Sequence, residues 1–166
     1  SVAREVVPGA TTVQVSLRVP DFRLWELDAP ALYQATVRVA LSDSCGMPAS
    51  AAWSVRFGYR DFRVVDGYFQ LNGRRIFVRS THTGNHSPIG QILPPATAPD
   101  LLRRDLVYAK ACGFNMVRYI SGVAHPYQLD LADEIGLLVY EETLAGWLLA
   151  DSPKMGERFD FSVREM

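Results

Sequence analysis

Residues 67–86 read GYFQLNGRRIFVRSTHTGNH, and the character of the chain changes within them. A short apolar run, Tyr68 to Leu71, stops at Asn72-Gly73, a dipeptide that tolerates positive φ at both positions and therefore suits a two-residue hairpin turn. A second run, RRIFVRS at 74–80, climbs from the turn into hydroxyls, amides and imidazoles. Upstream of this stretch the apolar residues recur with a period of two, whereas downstream strand-like runs alternate with helical ones.

Working outward toward the amino end, TTVQVSLRVP (11–20) places Val13, Val15, Leu17 and Val19 on one side of a strand and Gln14, Ser16 and Arg18 on the other. The pattern repeats in LYQATVRVAL (32–41) and in the aromatic-rich AAWSVRFGYRDFRVV (51–65). Segments bearing Pro, Gly and Asp, such as SDSCGMPAS (42–50), separate them. Such strands predict part of an antiparallel β-sandwich, with Trp25 and Trp53 in its core and further strands needed to close it.

Toward the carboxyl end, TAPDLLRRDLVYAKACG (97–113) has the marks of a helix: Thr97 as N-cap, Pro99 and Asp100 in the first turn, Gly113 as the stop. FNMVRYI (114–120) follows as a strand, HPYQLDLADEIG (125–136) as a helix opened by Pro126 and closed by Gly136, and LLVYEET (137–143) as another strand. Continuous apolar strands separated by helices indicate a parallel sheet, which opens either a doubly wound sheet or an eight-fold barrel. In both, ligands meet the carboxyl ends of the strands. Those ends fall here at Ser80–His86, Arg118–Ser121 and Glu141–Thr143.

The 166 residues, 48% of them apolar, suffice for one domain or two small ones. Seventeen Lys and Arg stand against 18 Asp and Glu with no block of one sign, which points away from nucleic acid and from a charged membrane surface. No apolar run approaches the roughly 18 residues of a membrane span. Two cysteines, Cys45 and Cys112, support neither a disulfide framework nor a metal site. The chain starts without Met and ends at FDFSVREM, so it is read as an internal piece of a longer polypeptide.

Four segments, LWELDAPALYQATVRV (24–39), VRFGYRDFRVVDGYFQLNGRRIFVRS (55–80), DLLRRDLVYAKACGFNMVRY (100–119) and LDLADEIGLLVYEE (129–142), resemble in order the signature segments of the family 2 glycoside hydrolases. That family includes β-galactosidases, β-glucuronidases and β-mannosidases. The resemblance implies the C-terminal part of an immunoglobulin-like β-sandwich over 1–65 and the first three βα units of a TIM (β/α)8 barrel over 66–166. It also implies a retaining glycosidase whose two catalytic glutamates stand only about 5 Å apart. Both would lie beyond this chain, which contains no Asn-Glu pair, so the segment alone is expected to be inactive and to depend on the remainder of its own barrel and a carbohydrate substrate. No cofactor is implied.

By the same resemblance Arg118 matches the arginine of an NxVR motif and clamps the nucleophile carboxylate, keeping it ionised. Glu142 matches a third-strand glutamate able to hold Arg118, while its neighbour Glu141 must face the other way and is read as structural. His82, Asn85 and His86 line the sugar site from the loop after the first strand, although RSTHTGNH departs from the galactosidase spelling. Trp147 either stacks on a sugar ring or packs between loop and barrel. The residues after Glu142, TLAGWL, lack the ligands of the magnesium site of some galactosidases, so no metal is expected there. Two rival readings are a noncatalytic carbohydrate-binding or interaction sandwich, and a metal hydrolase using His82, His86, His125 and Glu141. The first lacks an exposed aromatic row in the sequence; the second lacks ligands on one helix face.

Overall fold

The computed structural model of the protein describes residues 9, 12–40, 50–84, 101–120 and 124–142. Strands come first and then alternate with helices, giving the mixed β and α composition that the two periods imply.

Strands β1 (Tyr33–Ala40) and β2 (Ser50–Phe57) form an antiparallel ladder with Tyr33 opposite Phe57, Val37 opposite Trp53 and Ala40 opposite Ser50. Alternation gathers Tyr33, Ala35, Val37, Trp53, Val55 and Phe57 on one face. The other face is polar, and there the Thr36 and Ser54 hydroxyls lie 2.8 Å apart. The assignment of Trp53 to a core needs correction: it is 75% exposed, and Val37 and Val55 are exposed beside it. The strand expected at 11–19 is also absent among the described residues, where 12–19 enter no ladder and Val13, Val15 and Leu17 face solvent. Alternation says which side a strand would bury; it does not supply the neighbour whose peptide groups complete the ladder.

The run 51–65, expected as one segment, breaks at Gly58, where an added Cβ would meet the Ala31 carbonyl oxygen at 3.1 Å. Beyond a lone bridge between Tyr59 and Leu24 comes a meander: β3 (Phe62–Val65), β4 (Tyr68–Leu71) and β5 (Arg74–Arg75). Its two turns are alike. Asp66-Gly67 has φ of 49° and 78°, and Asn72-Gly73 has φ of 53° and 76°, the double positive φ of a two-residue hairpin. Asn72 does more than turn the chain, because its side chain accepts from the Asp61 N–H and donates to the Trp25 carbonyl and to Glu26.

A three-stranded parallel sheet follows, in the order β6 (Ser80–Gly84), β7 (Met116–Ile120), β8 (Leu138–Glu141), with helices α1 (Leu101–Ala111) and α2 (Pro126–Ile135) between them in sequence. The strand expected at 74–80 is displaced to 80–84. The cause is Asn115, buried one residue before β7: its side chain accepts from the Arg79 N–H at 2.8 Å and donates to the Phe77 carbonyl at 2.9 Å. Backbone groups of 77–79 are thus bound to a side chain before the ladder begins. The N-terminal signals Thr97, Pro99 and Asp100 lie outside the described residues. Both helices stop at glycines in the left-handed region, Gly113 (φ 85°) and Gly136 (φ 82°).

Leu106 of α1, Leu131 and Ala132 of α2 and Val117 and Tyr119 of β7 form one core, between helices and sheet. Trp25, Leu71 and Leu138, flanked by Leu27, Leu32, Ile76 and Met116, form a second on the opposite face of the sheet, at the amino ends of its strands. Here the two halves of the chain are fastened together. The Trp25 indole donates to the Asp133 carbonyl at 2.8 Å, Lys110 donates to the carbonyls of Leu27 and Gly136, and Arg56 of β2 pairs with Asp130 and Glu134 on α2.

Candidate functional site

Register makes the parallel sheet two-faced. Thr81, Val117 and Val139 are in line across it, as are Tyr119 and Glu141, and this face meets the helices. Ser80, Met116 and Leu138 are in line on the other face, followed by His82, Arg118 and Tyr140 one step nearer the carboxyl ends. The second face is therefore closed at its amino end by the Trp25 core. At its carboxyl end no described residue covers it, and His82, Arg118 and Tyr140 are all exposed.

Arg118 projects from this open face. Its Nε and one terminal nitrogen both contact a single carboxylate oxygen of Glu142, which lies one residue beyond β8. The guanidinium also lies over the Tyr140 ring, 5.6 Å from its centroid, within the range of cation–π attraction. Glu142 is much the less exposed member of the pair, with 20% of its side-chain surface accessible against 46% for Arg118. The arrangement holds an arginine fork in one orientation at the strand ends. An arginine so held is suited to an anion or to the oxygen atoms of a polar ligand.

The adjacent glutamates separate as strand geometry requires. Glu141 turns to the helix face, where its carboxylate accepts from the Ala124 N–H at 2.8 Å just ahead of α2. That is a structural role. His125 caps α2: its Nδ1 accepts from the Tyr127 N–H, and the Gln128 side chain accepts from the His125 N–H in a reciprocal capping box. A histidine committed to a helix end is poorly placed as a metal ligand, and among the described residues no three His, Cys, Asp or Glu side chains converge. Tyr119 is fully buried beneath the helices, and its hydroxyl has no hydrogen-bond partner among the described residues. Burial, with the Glu141 carboxylate nearby, raises the pKa of this phenol.

His82 was expected in a loop but belongs to β6, directly opposite Arg118 in the ladder. The displacement of the strand by Asn115 moves it there. Asn85, His86 and Trp147 lie outside the described residues. Tyr140 is the site-face residue that sequence reasoning passed over. A signal existed: in LVYEE it stands two residues before Glu142, so the period of a strand places the two on one face.

No protein-family model matches the chain. Solved structures do. A β-glucuronidase from Parabacteroides merdae is 30% identical over 72% of this chain, with a TM-score of 0.56, and the match covers 14% of that enzyme. A glycosyl hydrolase family 2 member from Bacteroides cellulosilyticus is 26% identical over 70% of the chain and 14% of its own, with a TM-score of 0.57. A family 2 β-galacturonidase from Eisenbergiella tayi, bound to galacturonate, shares the fold over 92% of this chain at 23% identity and a TM-score of 0.67, across 26% of its own length. The chain thus spans about one seventh of the first two proteins and about a quarter of the third.

Proposed function

We propose that this chain, a segment of family 2 glycoside hydrolase type, forms one wall of the sugar pocket of a retaining β-glycosidase. In this reading 1–65 belongs to an immunoglobulin-like sandwich and 66–166 opens a TIM barrel, whose floor is the Trp25 core and whose mouth is the carboxyl end of the parallel sheet. The reading is carried by one observation: Arg118 stands on the sheet face away from the helices, at the strand ends, fixed by Glu142.

Retaining hydrolysis needs a carboxylate nucleophile and a second carboxyl that first donates and then removes a proton. Neither is assigned to this chain. Arg118 presents positive charge to the nucleophile, favouring its ionised form and so its readiness to attack the anomeric carbon. Glu142 keeps the guanidinium from swinging away, which spares the site that reorganisation during reaction. His82, together with Asn85 and His86, supplies hydrogen bonds to sugar hydroxyls, and Trp147 packs on the ring. The names of the neighbours make β-uronides the first substrates to try.

The test compares the 166-residue chain with the whole protein on p-nitrophenyl β-glucuronide, β-galacturonide, β-galactoside and β-mannoside. The whole protein should release nitrophenol with retention of anomeric configuration, and the chain alone should not. Arg118→Ala in the whole protein should lower kcat by roughly 100- to 1,000-fold. Turnover by the 166-residue chain would refute the placement of the catalytic carboxylates outside it.

One observation favours a second reading, a noncatalytic carbohydrate-binding or interaction module. The exposed Trp53, flanked by Val37 and Val55 on the apolar β1–β2 face, is an aromatic contact of the sort such modules use. Glycan titration followed by tryptophan fluorescence, with Trp53→Ala as control, separates the two.

A further inference from the structure

Tyr140 has no part in the chemistry proposed above, yet it stands on the same face, opposite Arg118 in the ladder and beside the Arg118–Glu142 pair. It is 51% exposed, although it lies on β8 between Leu138, which is buried, and Glu142, which is mostly so. The exposed ring is on the sheet face that carries Arg118, away from the helices. Its position is nevertheless fixed: the strand holds its backbone in register with Arg118, and the Arg118 guanidinium lies over its ring. The guanidinium is in turn tied to Glu142, two residues along the same strand direction. Arg118 thus links the two, lying over the Tyr140 ring and bonded to the Glu142 carboxylate.

We propose that Tyr140 is a specificity-determining residue that packs against the apolar C–H face of the sugar ring. This rests on the glycosidase reading of the site and adds a contact to it. The chemistry fits a pyranose, whose axial hydrogens form an apolar patch on one side while its hydroxyls spread around the rim. A ring on Tyr140 brings those rim hydroxyls next to the Arg118–Glu142 pair, and His82 is one further strand away, at the usual spacing of about 4.8 Å between strands. A flat ligand without hydroxyls would gain the stacking and lose the rim bonds; a flexible acidic peptide would gain the arginine and lose the stacking. The combination selects a cyclic polyol.

The experiment uses the whole protein and the four aryl β-glycosides named above. Tyr140→Leu keeps apolar volume but removes the ring, and should raise KM for the best substrate about 5- to 10-fold with a smaller change in kcat. Tyr140→Phe keeps the ring and should restore most of that loss. Tyr108→Leu, a change at an exposed tyrosine on α1, should leave KM unaltered. In parallel, the unsubstituted protein is nitrated with tetranitromethane with and without a saturating methyl β-glycoside of the sugar turned over fastest. Peptide mass spectrometry should show Tyr140 modified in the free protein and protected by the glycoside, with Tyr108 modified equally in both. This arm needs no variant to fold. Unchanged KM in Tyr140→Leu, or nitration of Tyr140 indifferent to the glycoside, overturns the inference while leaving the glycosidase reading intact. Absence of turnover on all four glycosides overturns that reading first, and this one with it.

Discussion

The β1–β2 ladder and the β6–β7–β8 sheet carry equally clear sequence patterns and meet opposite fates. In the ladder, eight residue pairs are in unbroken register and one face is wholly apolar, yet Trp53, Val37 and Val55 on that face are exposed. In the parallel sheet the shorter strand β7 has Val117 and Tyr119 fully buried, because α1 and α2 are encoded beside it in sequence and fold back upon it. The difference lies in what covers the strands, since a βαβ arrangement brings its own lid. An antiparallel pair must find one elsewhere. The apolar surface at stake is the same in kind; within this chain the local connection covers one and leaves the other exposed.

The sharpest way to break this contrast is at the joint between the regions. Trp25→Ala removes the largest side chain of the second core and its bond to the Asp133 carbonyl, and should cost about 3–5 kcal/mol by urea denaturation. A cost below 1 kcal/mol would mean that the two halves fold independently. Next comes Gly136→Ala. The new Cβ would sit 1.9 Å from the Leu27 carbonyl oxygen on a backbone with φ of 82°, so about 3 kcal/mol should be lost, read from the shift in denaturation midpoint.

Tyr119→Phe tests the covered face and has the opposite sign. Deleting a buried hydroxyl without a partner should leave stability unchanged or raise it by about 1 kcal/mol, and a loss above 1 kcal/mol would reveal a hydrogen bond from the rest of the protein. Trp53→Thr tests the uncovered face. In the 166-residue chain it should alter stability by less than about 0.5 kcal/mol; the same change costing several kcal/mol in the whole protein would identify Trp53 as core once its neighbours are present.

The smallest effect concerns pH. Burial raises the pKa of Asp133, near the negative end of α2, although Arg60 and Arg56 oppose the shift. A raised folded-state pKa means that ionisation works against the fold: the favourable state prevails below the unfolded carboxylate range and is lost as pH climbs through the folded value. Asp133→Asn should therefore stabilise slightly at neutral pH and not at all in the acid range, a difference that thermal melts at the two pH values would register.

How much of this was legible follows from where each signal acts. Helix ends were readable because Pro126, Gly113 and Gly136 operate within one turn of themselves, and the sides taken by Glu141 and Glu142 followed from strand geometry alone. The Asn72-Gly73 turn was legible for the same reason; Asp66-Gly67 is equally local and lies between the runs 51–65 and 68–71, where no turn was read. The shift of β6 was hidden because Asn115 acts on Arg79 and Phe77 from more than 30 residues away. Trp53 is exposed in this chain because burial depends on a neighbour that alternation cannot name. Arg118 stood out by resemblance, whereas Tyr140 looked like one more strand aromatic until its register was known.

The parallel sheet has a property that concerns handling more than chemistry. Among the described residues β6 and β8 each bond to β7 alone, so two rows of peptide groups are left for another strand to adopt. Such edges pair with other chains as concentration rises, so the segment alone is expected to associate when concentrated, which light scattering would register. Purified alone, the segment should be most soluble where it is scarcest, and added strands of the correct sequence should act on it as a chaperone does.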